Sequence, residues 1–182
     1  HIQQAQEVPH AILQDIANDC AADLGIKQKV VLKLYAAIPS PMLIGFFMPT
    51  IVVPQVDLQP CEAQMILTHE LVHFKHRDLW RKLFAVILQT VYWFNPVVHL
   101  MKRELDRLAE TSCDEQVVCG MSPAERKRYG HLLISYTTVF RTPSKSSGIA
   151  FVSTRKRLER RILTMLNSNQ KSRKTVAIAL AC

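Results

Sequence analysis

The 182-residue sequence lacks several features, and each absence excludes a class of protein. It has no uninterrupted run of about 20 apolar residues, so no complete transmembrane helix is expected. Its five cysteines are scattered and include no Cys-x-x-Cys pair. This excludes a disulfide framework or a cysteine metal knuckle and favours a reducing compartment. The start, HIQQAQEVPH, is polar and lacks Met, so we expect no signal peptide and an excised piece of a longer protein.

The net charge of +8 is concentrated near the C-terminus, where the basic stretch STRKRLERRILTMLNSNQKSRK precedes the apolar TVAIALAC. Lys and Arg beside an apolar onset are typical of the cytoplasmic flank of a membrane helix. We therefore expect residues 169–182 to be a basic juxtamembrane segment that leads into the first turns of such a helix at Val176–Cys182. A buried helix end is the alternative. Direct nucleic-acid binding is not expected, because the stretch has neither interleaved aromatic residues nor a known motif.

Hydrophobic patterns predict an α+β domain over residues 1–168. It should be mostly helical, with a small antiparallel or mixed sheet before the helix that carries the chemistry. Four prolines between residues 39 and 54 exclude a helix there. The predicted early elements are a helix over Pro9–Leu24, strands over Lys29–Ala36, Met42–Phe47 and Thr50–Val53, and a helix from Cys61 through His73.

The second half is predicted to be helical. Leu83–Phe94 is the most apolar stretch but is too short to span a bilayer, so we expect a buried helix or a helix on a membrane surface. Val97–Val118 is a further helix with many charges, and Ser122 begins another with the spacing of a capping box. Arg141–Gly148 is a polar loop.

One short motif carries the chemistry: Thr68-His69-Glu70-Leu71-Val72-His73, the H-E-x-x-H pattern. Residues four apart share one face of a helix, so His69 and His73 can bind one zinc ion, Zn2+. Glu70 points to the adjacent side, where it can take a proton from the attacking water as general base. The pattern predicts a zinc hydrolase, and two incidental histidines on a helix are the alternative.

A catalytic zinc site usually has three protein ligands, so a third must come from elsewhere in the chain. The metzincin arrangement is excluded, because the positions that would need Gly and His are His76 and Leu79. Glu110 is the favoured ligand, since Asp114 one turn later can accept the free ring N–H of a ligand histidine. The competing residues are His76, Glu104, Asp106 and Glu115.

The sequence defines the groups that would bind the substrate less closely than it defines the metal ligands. An edge strand at Met42–Phe47 or Thr50–Val53 could pair with an extended peptide. The side chains that could stabilise the oxyanion are Tyr92, His99, Arg107 and Tyr129.

The motifs occur in an order that resembles the antirepressor zinc peptidases of the BlaR/MecR type, which are membrane-bound signal transducers. THELVHFKHRD and WFNPVVHLMKRELDRLAETSCDEQVV carry the resemblance, which covers about residues 35–165. It implies a gluzincin-like peptidase domain. The roles that it implies are zinc binding by His69, His73 and Glu110, general base for Glu70 and support of the site by Asp114.

The resemblance also implies a location, a substrate and a link to antibiotic resistance. The domain is expected on the cytoplasmic side of a multi-pass protein of the cell membrane. A transcriptional repressor is the expected substrate, and a homodimer is a further expectation. Self-cleavage is also expected, before Ile149 or Phe151, because loops concentrate proteolysis and similar peptidases favour a bulky apolar residue after the cut.

Two other function classes stay open. A housekeeping membrane zinc endopeptidase of the CAAX-processing or heat-shock type shares both motifs, but the WFNP turn and Cys113 argue against it. A zinc-stabilised scaffold or a DNA-binding module would be non-enzymatic, and such a site has no use for a base at Glu70.

Overall fold

The computed structural model of the chain describes residues 10–36, 38, 40–55, 58–139 and 158–164. Its elements are α1 (His10–Asp23), β1 (Val31–Tyr35), β2 (Met42–Ile44), β3 (Thr50–Pro54), α2 (Pro60–Lys75), α3 (Asp78–Val91), α4 (Pro96–Val117) and α5 (Pro123–Val139). Residues 158–164 form a short additional helical segment. The prediction of a mostly helical α+β domain with a small sheet before the motif helix is confirmed.

The three strands form a mixed sheet in the order β1-β3-β2. β1 runs parallel to β3, with Leu32 opposite Ile51, and β2 runs antiparallel to the other edge of β3. The predicted strand over Met42–Phe47 is too long, because the chain turns at Gly45 with a φ of 99°. A side chain at this glycine would collide with the carbonyl oxygen of Met48, so the turn requires glycine.

The core lies between α1, the sheet and α2. Its fully buried apolar residues include Ala17, Ile51, Val53, Leu67 and Leu71. α2 begins at Pro60, where the missing N–H costs no helical hydrogen bond, and the Glu62 carboxylate accepts a hydrogen bond from the Gln59 N–H at 3.2 Å. Because apolar side chains hold α2 against the sheet and α1, the two histidines on it have fixed positions.

α3 differs from the expectation of a buried helix. In the segment Leu83–Phe94, all of which the structure describes, Ala85 is the one buried residue. The helix contacts α4, which begins after Asn95, whose side chain accepts a hydrogen bond from the Val97 N–H at 2.9 Å. The prediction of a buried helix is therefore wrong, and the alternative of a membrane-surface helix stays a prediction.

Three predicted segments lie outside the described residues: the loop Arg141–Gly148, the cleavage positions around Phe151 and the juxtamembrane residues 169–182. The capping box at the start of α5 is confirmed, since the Ser122 N–H donates to the Glu125 carboxylate at 2.7 Å. Of the helices that the structure describes, none has the length and apolar character needed to cross a membrane.

Candidate metal centre and active site

α2 holds two histidines close together near its C-terminal end. The Nε2 atoms of His69 and His73 lie 3.2 Å apart, and both side chains are buried. Two nitrogen ligands of one tetrahedral zinc, each about 2.0–2.1 Å from the metal, would lie about 3.3–3.4 Å apart. The observed separation therefore fits two ligands of a single metal ion.

Glu110 approaches this pair from α4. One carboxylate oxygen lies 3.8 Å from Nε2 of His69, and the other lies 3.8 Å from Nε2 of His73. The ligand atoms of these three residues all lie within 4.8 Å of one another, so the group could hold a metal ion. Two imidazoles and one carboxylate are a donor set typical of catalytic zinc sites, which leave a fourth position for water.

The residues that competed with Glu110 for the third position have other neighbours. The Glu104 carboxylate pairs with Arg107, and Asp106 pairs with Lys102 at 2.8 Å. Glu115 is exposed, and the Nδ1 atom of His76 lies 4.0 Å from the Cys113 sulfur. Among the residues that the structure describes, Glu110 is thus the competitor that completes a group with both motif histidines.

His73 is oriented by an aspartate that the sequence reasoning missed. Its Nδ1 donates a hydrogen bond to Asp78 at 2.6 Å, which leaves Nε2 free to face Glu110 and His69. Burial alone would raise the pKa of Asp78, but the His73 hydrogen bond and the charges of His73, Arg81 and His76 together lower it. Arg77 makes this contact possible, because its left-handed φ of 57° turns the chain from α2 into α3.

The buried thiol of Cys113 also contacts this pair. Its sulfur lies 3.2 Å from Nδ1 of His73 and 3.7 Å from a carboxylate oxygen of Asp78. Burial is the main cause that raises the pKa of the Cys113 thiol, and the negative charge of Asp78 raises it further. The sulfur therefore stays protonated in this environment and can donate its weak hydrogen bond to the aspartate.

His69 is oriented through a tyrosine. The Tyr129 hydroxyl lies 2.9 Å from Nδ1 of His69 and donates to the Asp114 carboxylate at 2.9 Å. Asp114, predicted to accept the ring N–H directly, lies 3.5 Å from that nitrogen and is linked to it mainly by this hydroxyl. The Tyr129 hydroxyl thus lies behind the ring, on the side away from Nε2, where it is engaged with His69 and Asp114.

Arg161, from the helical segment 158–164, links Glu110 and Asp114 of α4. Its guanidinium donates to both carboxylate oxygens of Asp114, at 2.6 and 2.8 Å, and lies 3.1 Å from Glu110. Burial alone would raise the pKa of Glu110, but the nearby His69 ring and the charge of Arg161 lower it to about 2. Glu110 is therefore anionic at neutral pH, as a metal ligand must be.

Glu70 follows His69 on α2 and is partly exposed. Its carboxylate has no hydrogen bond or ion pair with any residue in the described part of the chain. Of the other three oxyanion candidates, His99 contacts Gln89 and the Trp93 carbonyl, Arg107 pairs with Glu104, and Tyr92 is exposed at the end of α3. The arrangement provides a three-ligand metal group beside an unengaged carboxylate.

Comparisons with known proteins identify the family of this chain. The sequence matches the family described as BlaR1 peptidase M56 over residues 1–166. It is 32% identical over 166 residues to the regulatory protein BlaR1 of Bacillus licheniformis, an alignment that covers 89% of this chain and 28% of that protein. It is 30% identical over 111 residues to the methicillin resistance mecR1 protein of Staphylococcus aureus, covering 59% and 19%. The chain thus spans less than a third of the length of these relatives.

Proposed function

This chain belongs to the BlaR1 peptidase M56 family, and from that premise we propose that it is a zinc endopeptidase domain with His69, His73 and Glu110 as metal ligands. One observation carries the proposal. The ligand atoms of these residues lie within 4.8 Å of one another, and the next residue along α2 is the unengaged Glu70. A purely structural metal site would need the ligands but no carboxylate beside them.

The residues divide the chemistry between them. Asp78 and the Tyr129–Asp114 pair hold the Nδ1 protons of the two histidines, so that both Nε2 atoms present lone pairs to one point. A bound zinc would supply Lewis acidity, which acidifies a coordinated water and polarises the scissile carbonyl. Glu70 accepts the proton of the attacking water and returns it to the leaving nitrogen, so the two products carry the atoms of one added water.

The sheet offers a place for an extended peptide. β3 is the central strand, so the prediction that Thr50–Val53 binds a peptide by edge pairing is wrong. β2 is an edge strand and contacts α2, the helix that carries the motif, which makes Met42–Ile44 the strand that could pair with a substrate. The aromatic rings of Phe46 and Trp80 pack edge to face next to it.

We propose that the substrate is a transcriptional repressor and that the chain belongs to a membrane-bound signal transducer. The names of the relatives support this, since one is a regulatory protein and another a methicillin resistance protein. Self-cleavage near Phe151 is part of the same proposal. A housekeeping membrane endopeptidase is the alternative, and its distinguishing property would be cleavage of proteins unrelated to gene regulation.

The experiment is incubation of the full chain with a candidate transcriptional repressor from the same organism and with an unrelated unfolded protein. We expect site-specific cleavage of the repressor, loss of cleavage with a chelator and its return with zinc, because hydrolysis needs the metal group. Equal cleavage of both proteins would favour the housekeeping alternative. Cleavage that persists after complete metal removal would contradict a zinc peptidase.

The surface of the α3–α4 helix pair suits contact with a lipid surface. The pair exposes several large apolar side chains, and five of them follow one another around the turn between the two helices: Val91, Tyr92, Trp93, Phe94 and Val97. Trp93 is 73% exposed and Phe94 is 68% exposed. Basic Arg81, Lys82 and Arg103 are exposed on the same two helices. Apolar and aromatic side chains with flanking Lys and Arg are typical of helices that lie in the membrane interface, and anionic headgroups complement the positive charge.

The full chain should therefore bind vesicles of phosphatidylglycerol and phosphatidylcholine more tightly than vesicles of phosphatidylcholine alone. Changing Trp93 and Phe94 to Ser should weaken binding by at least about tenfold, because burial of a large apolar side chain contributes about 1.5–3 kcal/mol. Tyr35→Ser is the matched control, since Tyr35 is 62% exposed but lies on β1. Cosedimentation measures binding, and equal weakening in the control would contradict the proposed surface.

A further inference from the structure

A second feature lies beside the metal group and is not used by the chemistry above. A cavity of about 660 Å³ lies between α3, α4 and the segment 158–164. Its cationic side chains are Lys82, Lys102, Arg103, Arg107, Arg160 and Arg161, whereas its acidic side chains are Asp106 and Glu110. The cavity is therefore strongly positive, and one of its two acids is the proposed metal ligand.

Three of the six cations already have carboxylate partners. Lys102 pairs with Asp106, Arg107 pairs with Glu104, and Arg161 contacts both Asp114 and Glu110. The other three are Lys82, Arg103 and Arg160. In the described part of the chain, no carboxylate lies within salt-bridge distance of these three side chains. Among the described residues, these three charges are therefore not neutralised by a paired carboxylate.

The position of Glu110 connects this cavity to the peptidase site. Its carboxylate faces both motif histidines at 3.8 Å, and the same side chain lines the cavity. A group bound in the cavity would therefore lie one side chain away from the metal position. Val86 and Leu158 add apolar surface that suits the methylene part of a side chain. These properties match a subsite for one residue of a bound peptide.

We propose that this cavity is a substrate subsite that accepts an Asp or Glu side chain near the cleaved bond, recognised by Lys82, Arg103 and Arg160. The inference rests on the proposed peptidase function and specifies its substrate class. An acidic peptide is favoured over a lipid phosphate because the cavity wall includes the metal ligand. The apolar side chains proposed to face the membrane do not line the cavity, whereas Lys82 and Arg103 contribute to both surfaces.

The test uses the full chain and sets of peptides that differ only by Asp against Asn, with the substitution moved through each position around the cleaved bond. At one position we expect the acidic peptide to have a KM roughly tenfold lower, in keeping with a charge-assisted hydrogen bond. The preference should weaken in Lys82→Gln, Arg103→Gln and Arg160→Gln. Lys127→Gln is the matched control, because this exposed cation lies on α5 and away from the cavity.

Charge reversal keeps the test informative if a neutral variant loses stability. Arg103→Glu should invert the preference toward a peptide with Lys at the same position, a gain that an unfolded chain cannot show. An unchanged preference for Asp in this variant, or equal KM values for Asp and Asn in the unmodified chain, would overturn the proposal. Loss of binding to inorganic phosphate in the Arg103→Glu chain, with the preference for the Asp peptide unaltered, would assign the cavity to a phosphate instead.

Failure of this inference and failure of the peptidase function can be told apart. Binding of the same labelled peptides is also measured with the Glu70→Gln chain, which should not turn them over. If no peptide is cleaved but the Asp peptide still binds about tenfold more tightly and Arg103→Glu reverses this, the subsite stands and the peptidase function falls. If peptides are cleaved without any charge preference, the peptidase function stands and the subsite falls.

Discussion

Replacing Glu70 with Gln should leave the metal bound and lower peptide hydrolysis by about 10²–10⁴-fold, the contribution typical of a general base. Gln keeps the size and shape of the side chain but cannot accept the proton of the attacking water. The change should be confined to chemistry, because the Glu70 carboxylate supports no hydrogen bond or ion pair in the described part of the chain. The measurements are kcat with the repressor, zinc content and thermal unfolding.

A matched control separates this effect from a general loss of negative charge on the helix. Glu62 also lies on α2, in its first turn, and contacts Gln59 and Arg128 rather than the metal group. Glu62→Gln should therefore reduce stability slightly, through the weakened start of the helix, but leave kcat unchanged. Wild-type kcat in Glu70→Gln with bound zinc would disprove the assignment of the base.

The part of the site that lies on single helices could be predicted from the sequence. The spacing of His69 and His73 fixes their shared face, and the one-turn spacing of Glu110 and Asp114 fixes theirs. Where α4 approaches α2 is set by tertiary packing, so the 3.8 Å contacts of Glu110 needed the structure. The sequence likewise shows that Leu83–Phe94 is apolar, but it does not show whether protein or a lipid surface would cover this helix.

Asp78 and Arg161 were not predicted as site residues, because the contacts that bring them to the site have no recognisable sequence pattern. Asp78 meets His73 only because Arg77 adopts a left-handed conformation between two helices. Arg161 contacts Asp114 from 47 residues further along the chain, and its basic neighbours made it look like part of a solvated or membrane-facing run. Tyr129 was considered for the site, but its hydroxyl acts on the far side of His69. Such contacts depend on how helices pack.

Removing a metal ligand should have the largest effect on metal binding. His69→Ala, His73→Ala and Glu110→Gln should each reduce the bound zinc from about one per chain to a small fraction at limiting metal, because only two protein ligands remain. Asp78→Asn should be milder, with a 10- to 100-fold lower affinity, since it alters the partner of a ligand and not the ligand itself. Competition with a zinc-binding dye measures all four affinities.

Glu110→Gln is the decisive member of this series, because the assignment of the third ligand depends on it. A neutral amide is a weaker metal donor, and the change also leaves the guanidinium of Arg161 3.1 Å from an uncharged group. Asp106→Asn is the matched control: it removes a carboxylate from the same helix, where it pairs only with Lys102 among the described residues. We expect Asp106→Asn to keep its zinc and Glu110→Gln to lose it. Full zinc retention by Glu110→Gln, with His69→Ala and His73→Ala depleted, would move the third ligand to another acid and leave the two histidines in place.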